Sequence, residues 1–352
     1  MWRTLLLPFS MLFGLVLQVR HLLFDRGILK SYSPEIPSIV VGNLCLGGSG
    51  KTPMVIKIGS WLINHKRMAF LSRGYGRTSD GFQWVELDAK PEVTGDEPRL
   101  FKTAFPDAAV AVDANRTQGI KKILHARPKT QAIILDDAYQ HRKVKAGLNI
   151  LLVPADSFNR MRMLVPAGDE RDLWQRRNAA SLVVITKCNT SISENEKRQI
   201  LKSLDLKKGI PVFFSSIKYE GLVSFDGLHK FPIRDLIDKK ILLVTGIADG
   251  EMLKHDLESF GAEVEHLAFK DHYDYTAKDI SRIEQNLSKF ASVDRMILTT
   301  GKDRVKLESK LNPNDVSHWF EIQTDLKFDR EEELKKLIFK YVDTNSRDRK
   351  LY

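Results

Sequence analysis

Only two cysteines occur in 352 residues, Cys45 and Cys188. Two excludes a disulfide framework, and their wide separation excludes a cysteine metal site. Such sparse use fits a reducing compartment. The chain also lacks low-complexity tracts and internal repeats, which excludes solenoids and long disordered arms. It has no helix-turn-helix or zinc-finger spacing, and its aromatics form no RNA-binding signature. Nucleic acid is therefore not an expected partner, although 55 Lys and Arg against 45 Asp and Glu leave a net charge of +10. That charge suits another anionic partner, a phosphate-rich ligand or an acidic membrane surface. No obligate protein partner is expected.

Long apolar runs are nearly missing as well. The exception is residues 5–19, LLLPFSMLFGLVLQV, with no charge between Arg3 and Arg20. A full span takes about 18 or more apolar residues, and Pro8, Ser10 and Gln18 interrupt this shorter run. With Arg20, His21, Arg26 and Lys30 behind it, the run predicts a helix lying in a membrane interface. A buried N-terminal helix and a secretory signal are the rival readings, but no small-x-small cleavage site follows. Pro8 should end or kink whatever begins before it.

What is present is concentrated at residues 39–53, IVVGNLCLGGSGKTP. An apolar strand runs into a glycine-rich turn, and a helix-compatible stretch, 54–62, follows. Gly47, Gly48 and Gly50, with Ser49 among them, let backbone N–H groups curl inward around anionic oxygens. The first amides of the helix add to that field. Lys51 can reach β- and γ-phosphates, and Thr52 can place a hydroxyl on Mg²⁺. Cys45 stands where the standard loop has its first glycine. The alternative is a structural turn with a chance GKT. Residues 132–137, AIILDD, form a buried strand that delivers Asp136 and Asp137 to the carboxyl edge of a sheet. In a P-loop protein an acid there holds Mg²⁺ directly or through water. ATP and Mg²⁺ are the expected cofactors.

The rest alternates between strand and helix, which indicates a parallel sheet covered by helices. Strand 68–72 ends at Ser72 and runs into RGYGR, 73–77. Asp96 and Glu97 in TGDEP are either site carboxylates or acids opening a helix. Strands follow at 108–112, 148–153 and 182–186, with helices at 116–125 and from Glu170-Arg171-Asp172. Beyond residue 210 come β-like stretches at 211–217 and 220–225, then a second α/β pattern. It has strands at 241–246, 263–269 and 296–300, and helices at 247–260, 276–290 and 329–343. The expected fold is α/β: a P-loop NTPase-type parallel sheet domain, a second, smaller α/β domain and an N-terminal membrane-associated helix. The division is 1–30, 31–210 and 211–352.

In order, VGNLCLGGSGKTP, SRGYGR, TGDEP, ILDD, RMLVPAGDERD, LVTGIA, DHYDY and TTGKDRVK resemble the tetraacyldisaccharide 4'-kinase family, the lipid A kinases of Gram-negative bacteria. The resemblance covers most of the chain. It implies transfer of the γ-phosphoryl group of ATP, with Mg²⁺, to the 4'-hydroxyl of a tetraacyldisaccharide 1-phosphate. It places that reaction at the cytoplasmic face of the inner membrane, in a cleft between two domains, with residues 1–30 as membrane anchor and 31–210 as the kinase domain. It implies that Asp96 is the catalytic aspartate and His272, from DHYDY, its partner. A sugar hydroxyl needs a proton acceptor, and either side chain could be it. Asp136 and Asp137 correspond to the family's acidic pair at the metal. Arg77, Arg116 and Arg171 are candidate phosphate clamps, Arg171 belonging to the catalytic set with Lys51. Ser72, Tyr75, Glu97 and Asp172 join the substrate-binding set. Glu170-Arg171-Asp172-Leu173 departs from the family's usual Leu-Arg-Glu-Pro, its acid being one methylene shorter. The competing function is a membrane-associated P-loop ATPase or nucleotide-binding regulator without kinase activity. A GTPase is disfavoured, because Thr186-Lys187-Cys188-Asn189 is only a faint echo of a guanine-reading motif.

Overall fold

A computed structural model describes residues 2–290, 295–312 and 316–346. The apolar runs become strands buried on both faces: β1 (Ser38–Asn43), β2 (Met68–Ser72), the short β3 (Gln83–Trp84), β4 (Ala109–Val112), β5 (Ala132–Asp136), β6 (Leu148–Pro154) and β7 (Leu182–Thr186). The later strands are β8 (Val212–Ser224), β9 (Lys230–Phe231), β10 (Lys240–Thr245), β11 (Glu263–Ala268), β12 (Ile297–Thr300) and β13 (Trp319–Phe328). Together they make a 13-stranded sheet in the order β11-β10-β12-β13-β8-β7-β6-β1-β5-β2-β4-β3, with β9 beside β8. The α/β class expected from the sequence is the one observed.

Strand β8 decides where the cleft lies. Its first residues pair in parallel with β7, Val183↔Val212 to Ile185↔Phe214. Its remainder runs past the carboxyl edge of β7 and pairs antiparallel with β13, from Phe328↔Ser215 to Phe320↔Ser224. Strands β10 and β12 lie parallel to β13, so they run opposite to the first group. The carboxyl ends of the two parallel groups therefore face each other, and both present their loops to one space. The sequence pattern read this region as two β stretches, because Gly221 and a register shift at Gln323/Thr324 interrupt the alternation without ending the ladder.

Helices cover both faces of the sheet, as parallel strands require. On one face α3 (Lys51–Leu62) buries Met54, Val55, Ile58 and Leu62 against Ile39, Val41 and Phe70. On the other, α6 (Arg116–Ala126) and α7 (Glu194–Leu204) bury Ile120, Ile123 and Leu204. In the second strand group α8 (Gly250–Ser259) covers Ile241 and Leu243, whereas α9 (Ala277–Leu287) covers Leu242 and Val244. The last helix, α11 (Glu331–Thr344), returns to the first group, where Leu334, Ile338 and Val342 complete the α3 face. Between α3 and α6 lie the short α4 (Pro91–Thr94) and α5 (Asp96–Ala104), and α10 (Gly301–Leu307) follows β12 and packs on α5.

At the N-terminus, α1 (Trp2–Leu5) stops just before Pro8 and α2 (Leu7–Asp25) begins, with proline in its first turn as the sequence requires. Helix α2 is long and apolar enough to cross a membrane. It is longer than the apolar run because its charged end is held by protein rather than water. Arg20 donates to the Gln140 carbonyl at 2.9 Å, and Arg142 pairs with Asp25 at 2.5 Å. Phe9, Met11, Leu12, Leu15, Val16 and Val19 remain exposed along its outer side.

Candidate functional site

Asn43 ends β1, and the chain then curls through Gly47 and Gly50, whose φ values of +93° and +79° suit glycine. Gly50 caps α3. The loop is fixed from outside: Asn43 Nδ2 donates to Ser49 Oγ at 2.7 Å, and Thr186 Oγ1 donates to the Ser49 carbonyl at 3.0 Å. Gly48 runs close to the other strand group: a Cβ there would stand 3.0 Å from Asp249 Oδ2, from the loop after β10. Asp249 in turn pairs with Lys187 at 2.6 Å, joining the two strand groups beside the phosphate loop. The loop opens into a cleft of about 1260 Å³ whose walls include Lys51, Thr52, Tyr75, Arg171, Lys187 and His272.

Carboxylates crowd one side. Asp136 ends β5 fully buried; Ser72 Oγ donates to its Oδ2 at 2.9 Å, and its Oδ1 has no partner. Burial, then the charges of Glu97 and Asp137, push it up to about 7. Burial also raises Asp137, but the hydrogen bond from Arg171 and the Lys51 charge outweigh it and leave Asp137 at about 2. Lys51 Nζ is 3.9 Å from Asp137 Oδ1, and Arg171 grips Asp137 and Asn43. Thr52 Oγ1 donates to Glu97 at 3.2 Å. A buried carboxylate oxygen without a partner, close to two more acids and a threonine hydroxyl, is the hard oxygen set that a small divalent cation takes. Among the described residues no three metal-binding side chains are already gathered. The set therefore fits a cation that also draws ligands from water and phosphate.

The second pair lies next to Glu97, where α5 meets the later strand group. Asp96 opens α5, so the helix-opening reading of that acid is correct, and the same residue reaches the site. Its Oδ2 meets His272 Nδ1 at 2.9 Å, and its Oδ1 accepts from the Glu97 amide at 3.0 Å. His272 Nε2 lies 3.1 Å from Lys302 Nζ. An ammonium can only donate, so Nε2 accepts and Nδ1–H donates to Asp96. Lys306 Nζ stands 3.1 Å from Asp96 Oδ2 as an ion pair without hydrogen-bond geometry. Burial raises the Asp96 carboxyl, but His272, Lys302 and Lys306 together hold it well below the usual carboxylate range. Tyr75 packs beside His272, ring centroids 5.2 Å apart. Asp137, Lys187 and His272 line the cleft with left-handed backbones, a conformation that costs a non-glycine residue about 1 kcal/mol and gathers at functional sites.

Most of the residues expected from the sequence meet here: Gly47 to Thr52, Ser72, Tyr75, Asp96, Glu97, Asp136, Asp137, Arg171 and His272. Three do not. Arg116 is 1% exposed, its guanidinium donating to the carbonyls of Asp113 and Asp136, and burial lowers it to about 10. It braces the end of β5 rather than clamping substrate. Asp172 is fully buried against His21 of α2. Arg77 donates to the Gly81 carbonyl at 2.6 Å inside its own loop. The expected helix from Glu170 is also missing. Glu170 bridges to Cys45 and Leu164, and a 3-10 turn begins only at Trp174. The sequence did not mark Lys302, Lys306 or the Lys187–Asp249 pair. The two lysines sit four apart in TTGKDRVK, a spacing that puts both on one side of α10, but nothing local says that side faces Asp96.

A parallel sheet that delivers a glycine cradle, a lysine and paired acids to one edge defines a P-loop phosphotransferase. The family model for tetraacyldisaccharide-1-P 4'-kinase matches residues 2–343. A tetraacyldisaccharide 4'-kinase of Flavobacterium johnsoniae is 41% identical over 310 residues, 88% of this chain and 89% of that protein. One of Phocaeicola vulgatus is 37% identical over 97% of this chain and 96% of its own. The crystal structure of an "apo" form of LpxK from Aquifex aeolicus in complex with ATP superposes with a TM-score of 0.76 at 31% identity, covering 97% of this chain and all of that one. This chain belongs to the tetraacyldisaccharide 4'-kinase family.

Proposed function

We propose that this protein transfers the γ-phosphoryl group of ATP to the 4'-hydroxyl of a tetraacyldisaccharide 1-phosphate, the reaction for which its family is named. The observation that carries the reading is the meeting of the glycine cradle and the Asp96–His272 pair in one cleft. The cleft exceeds the range of about 300–1,000 Å³ common for one small ligand, which suits a nucleotide and a sugar headgroup together.

The amides of Gly47 to Gly50 and the first turn of α3 bind the β- and γ-phosphates, and Lys51 bridges them. Thr52, Asp136 and Asp137 would hold Mg²⁺, which would supply charge neutralisation at the phosphate oxygens. Arg171, already fixed on Asp137, turns its remaining donors to the transferring group. Its two anchors hold it rigid, so positioning costs little at the moment of reaction. Asp96 is too acidic, and both of its oxygens too engaged, to be the better proton acceptor. It serves as the anion behind His272, whose Nε2 takes the hydroxyl proton once Lys302 yields its place. Ser72, Tyr75 and Arg73 stand where the headgroup enters. The division at 210 is too simple, because α11 returns to the first strand group: residues 31–210 together with α11 act as the kinase domain, and the stretch between them supplies His272 and the lysines. Helix α2 lays its exposed apolar side on the cytoplasmic face of the inner membrane, bringing the cleft to a lipid that cannot leave it.

The test is direct. Purified protein in detergent micelles is incubated with Mg-ATP and tetraacyldisaccharide 1-phosphate, and the 4'-phosphorylated lipid is sought. Its absence, with ATP hydrolysis intact, rejects kinase activity in favour of an ATPase or regulator.

A further inference from the structure

Helix α2 does more than present an apolar side. Its opposite stripe of Ser10, Gly14, Leu17, His21 and Phe24 is buried against the protein. Ser10 Oγ donates to the Leu164 carbonyl at 2.8 Å and accepts from the Ala167 amide at 2.9 Å. Gly14 lies so close that a Cβ would come within 3.0 Å of the Leu164 side chain. Two turns on, His21 Nε2 meets Asp172 Oδ1 at 2.6 Å, with side chains 7% and 0% exposed. That oxygen also accepts from the Leu173 amide at 2.8 Å. Arg142 closes the other side, donating to the His21 carbonyl at 2.9 Å. The helix thus grips loop 163–173 at both ends, and the residue next to Asp172 is Arg171.

Arg171 has no secondary structure to hold it. Its backbone amide donates to the Leu44 carbonyl at 2.8 Å, and its side chain grips Asp137 and Asn43. Its loop is tied to the phosphate loop by the Leu46 amide on the Asp169 carbonyl at 2.7 Å and to itself by the Arg162–Glu170 pair at 2.9 Å, but the residue that directly follows Arg171 is held by α2. We propose that His21 is a positioning residue for Arg171, acting through Asp172, so that the N-terminal helix is part of the catalytic framework as well as a membrane contact. A displacement of about 1 Å in a positioned group costs about 100-fold in rate, and a lost His21–Asp172 bond frees the loop for a shift of that order. This rests on the reading of Arg171 as a phosphate-contacting group.

The experiment is a double-variant cycle on the full-length protein in mixed micelles, with His21→Leu, Arg171→Lys and both together. Two readouts are taken: lipid phosphorylation, and equilibrium binding of a fluorescent ATP analogue with Mg²⁺. His21→Leu should lower kcat about 10- to 100-fold, and adding it to Arg171→Lys should cost less than 3-fold more, because Arg171 is then already lost. His21→Gln, whose amide can still donate to Asp172, should recover most of the activity and covers the case in which the leucine variant fails to fold. Vesicle flotation of all variants should match the parent, separating positioning from recruitment. Additive losses, or full activity in His21→Leu, overturn the proposal. If the parent phosphorylates no lipid, the kinase reading fails, and the cycle in nucleotide binding still decides the role of His21.

Discussion

Replacing Asp96 by asparagine keeps the shape of the side chain and removes its charge. At 3.1 Å from Lys306 and 4.0 Å from Lys302, each pair carries a gross attraction of about 4–5 kcal/mol at an effective dielectric of about 20. Lys306 is only 7% exposed, so the variant leaves a buried ammonium without its counter-charge. Breaking a buried pair from one side costs about 3–5 kcal/mol, and Asp96→Asn should lose stability of that order. It also removes the anion behind His272, so kcat should fall about 10²- to 10⁴-fold with ATP affinity little changed. The double variant Asp96→Asn/Lys306→Met separates the two effects: it should regain most of the stability and none of the turnover. Denaturant unfolding and lipid phosphorylation, measured on the same preparations, provide the check. A double variant that regains turnover would refute the assignment of Asp96 to catalysis. Acid adds a second check. The Asp96 carboxyl is lower in the folded chain than in the unfolded one, so its contribution is complete above about pH 4 and is lost as pH falls through the folded value. The stability gap between parent and Asp96→Asn should therefore narrow in acid.

Three further outcomes follow from the same geometry. Gly59 lies inside α3, where alanine ordinarily stabilises by about 1 kcal/mol; here a Cβ would come within 2.7 Å of the Phe105 ring, so Gly59→Ala should lower stability by about 1–2 kcal/mol in denaturant unfolding. Lys51→Met should abolish transfer and weaken nucleotide binding while leaving the far-ultraviolet circular dichroism of the parent. Chelating divalent cations should stop transfer while leaving the far-ultraviolet circular dichroism unchanged, because Asp136 and Asp137 are held by Ser72, Arg171 and Lys51 before any cation binds.

The buried strands and the phosphate loop were legible because their signals are local. Continuous apolar runs such as AIILD and LVVIT have no other use, and glycines before GKT have few. The start of α5 was legible only as one of two readings, because Asp96 and Glu97 suit a positive helix end and a site equally. What was not legible depends on distant partners. Lys302 and Lys306 act on a carboxylate about two hundred positions earlier, and His21 acts on Asp172 across 151. Arg116 and Asp172 looked like ligand contacts because charged residues beside motifs usually face solvent or ligand; here each is buried with polar partners that only the fold supplies. Strand β8 read as two because pattern alone cannot distinguish a bulged strand from a broken one.

The return of α11 to the first strand group governs how this protein can be made. Tyr341 accepts a hydrogen bond from the Ser38 amide at 3.0 Å, across 303 residues, and Leu334, Ile338 and Val342 seal the apolar face over β1. At about 5–20 residues per second of synthesis, the first strand waits on the order of 15–60 s for the helix that covers it. For that time the nascent chain carries an uncovered sheet face, together with an apolar N-terminal helix that emerges first. Early capture of that helix by a lipid surface, and shielding of the sheet by a chaperone, would both act before the ribosome releases the final turn.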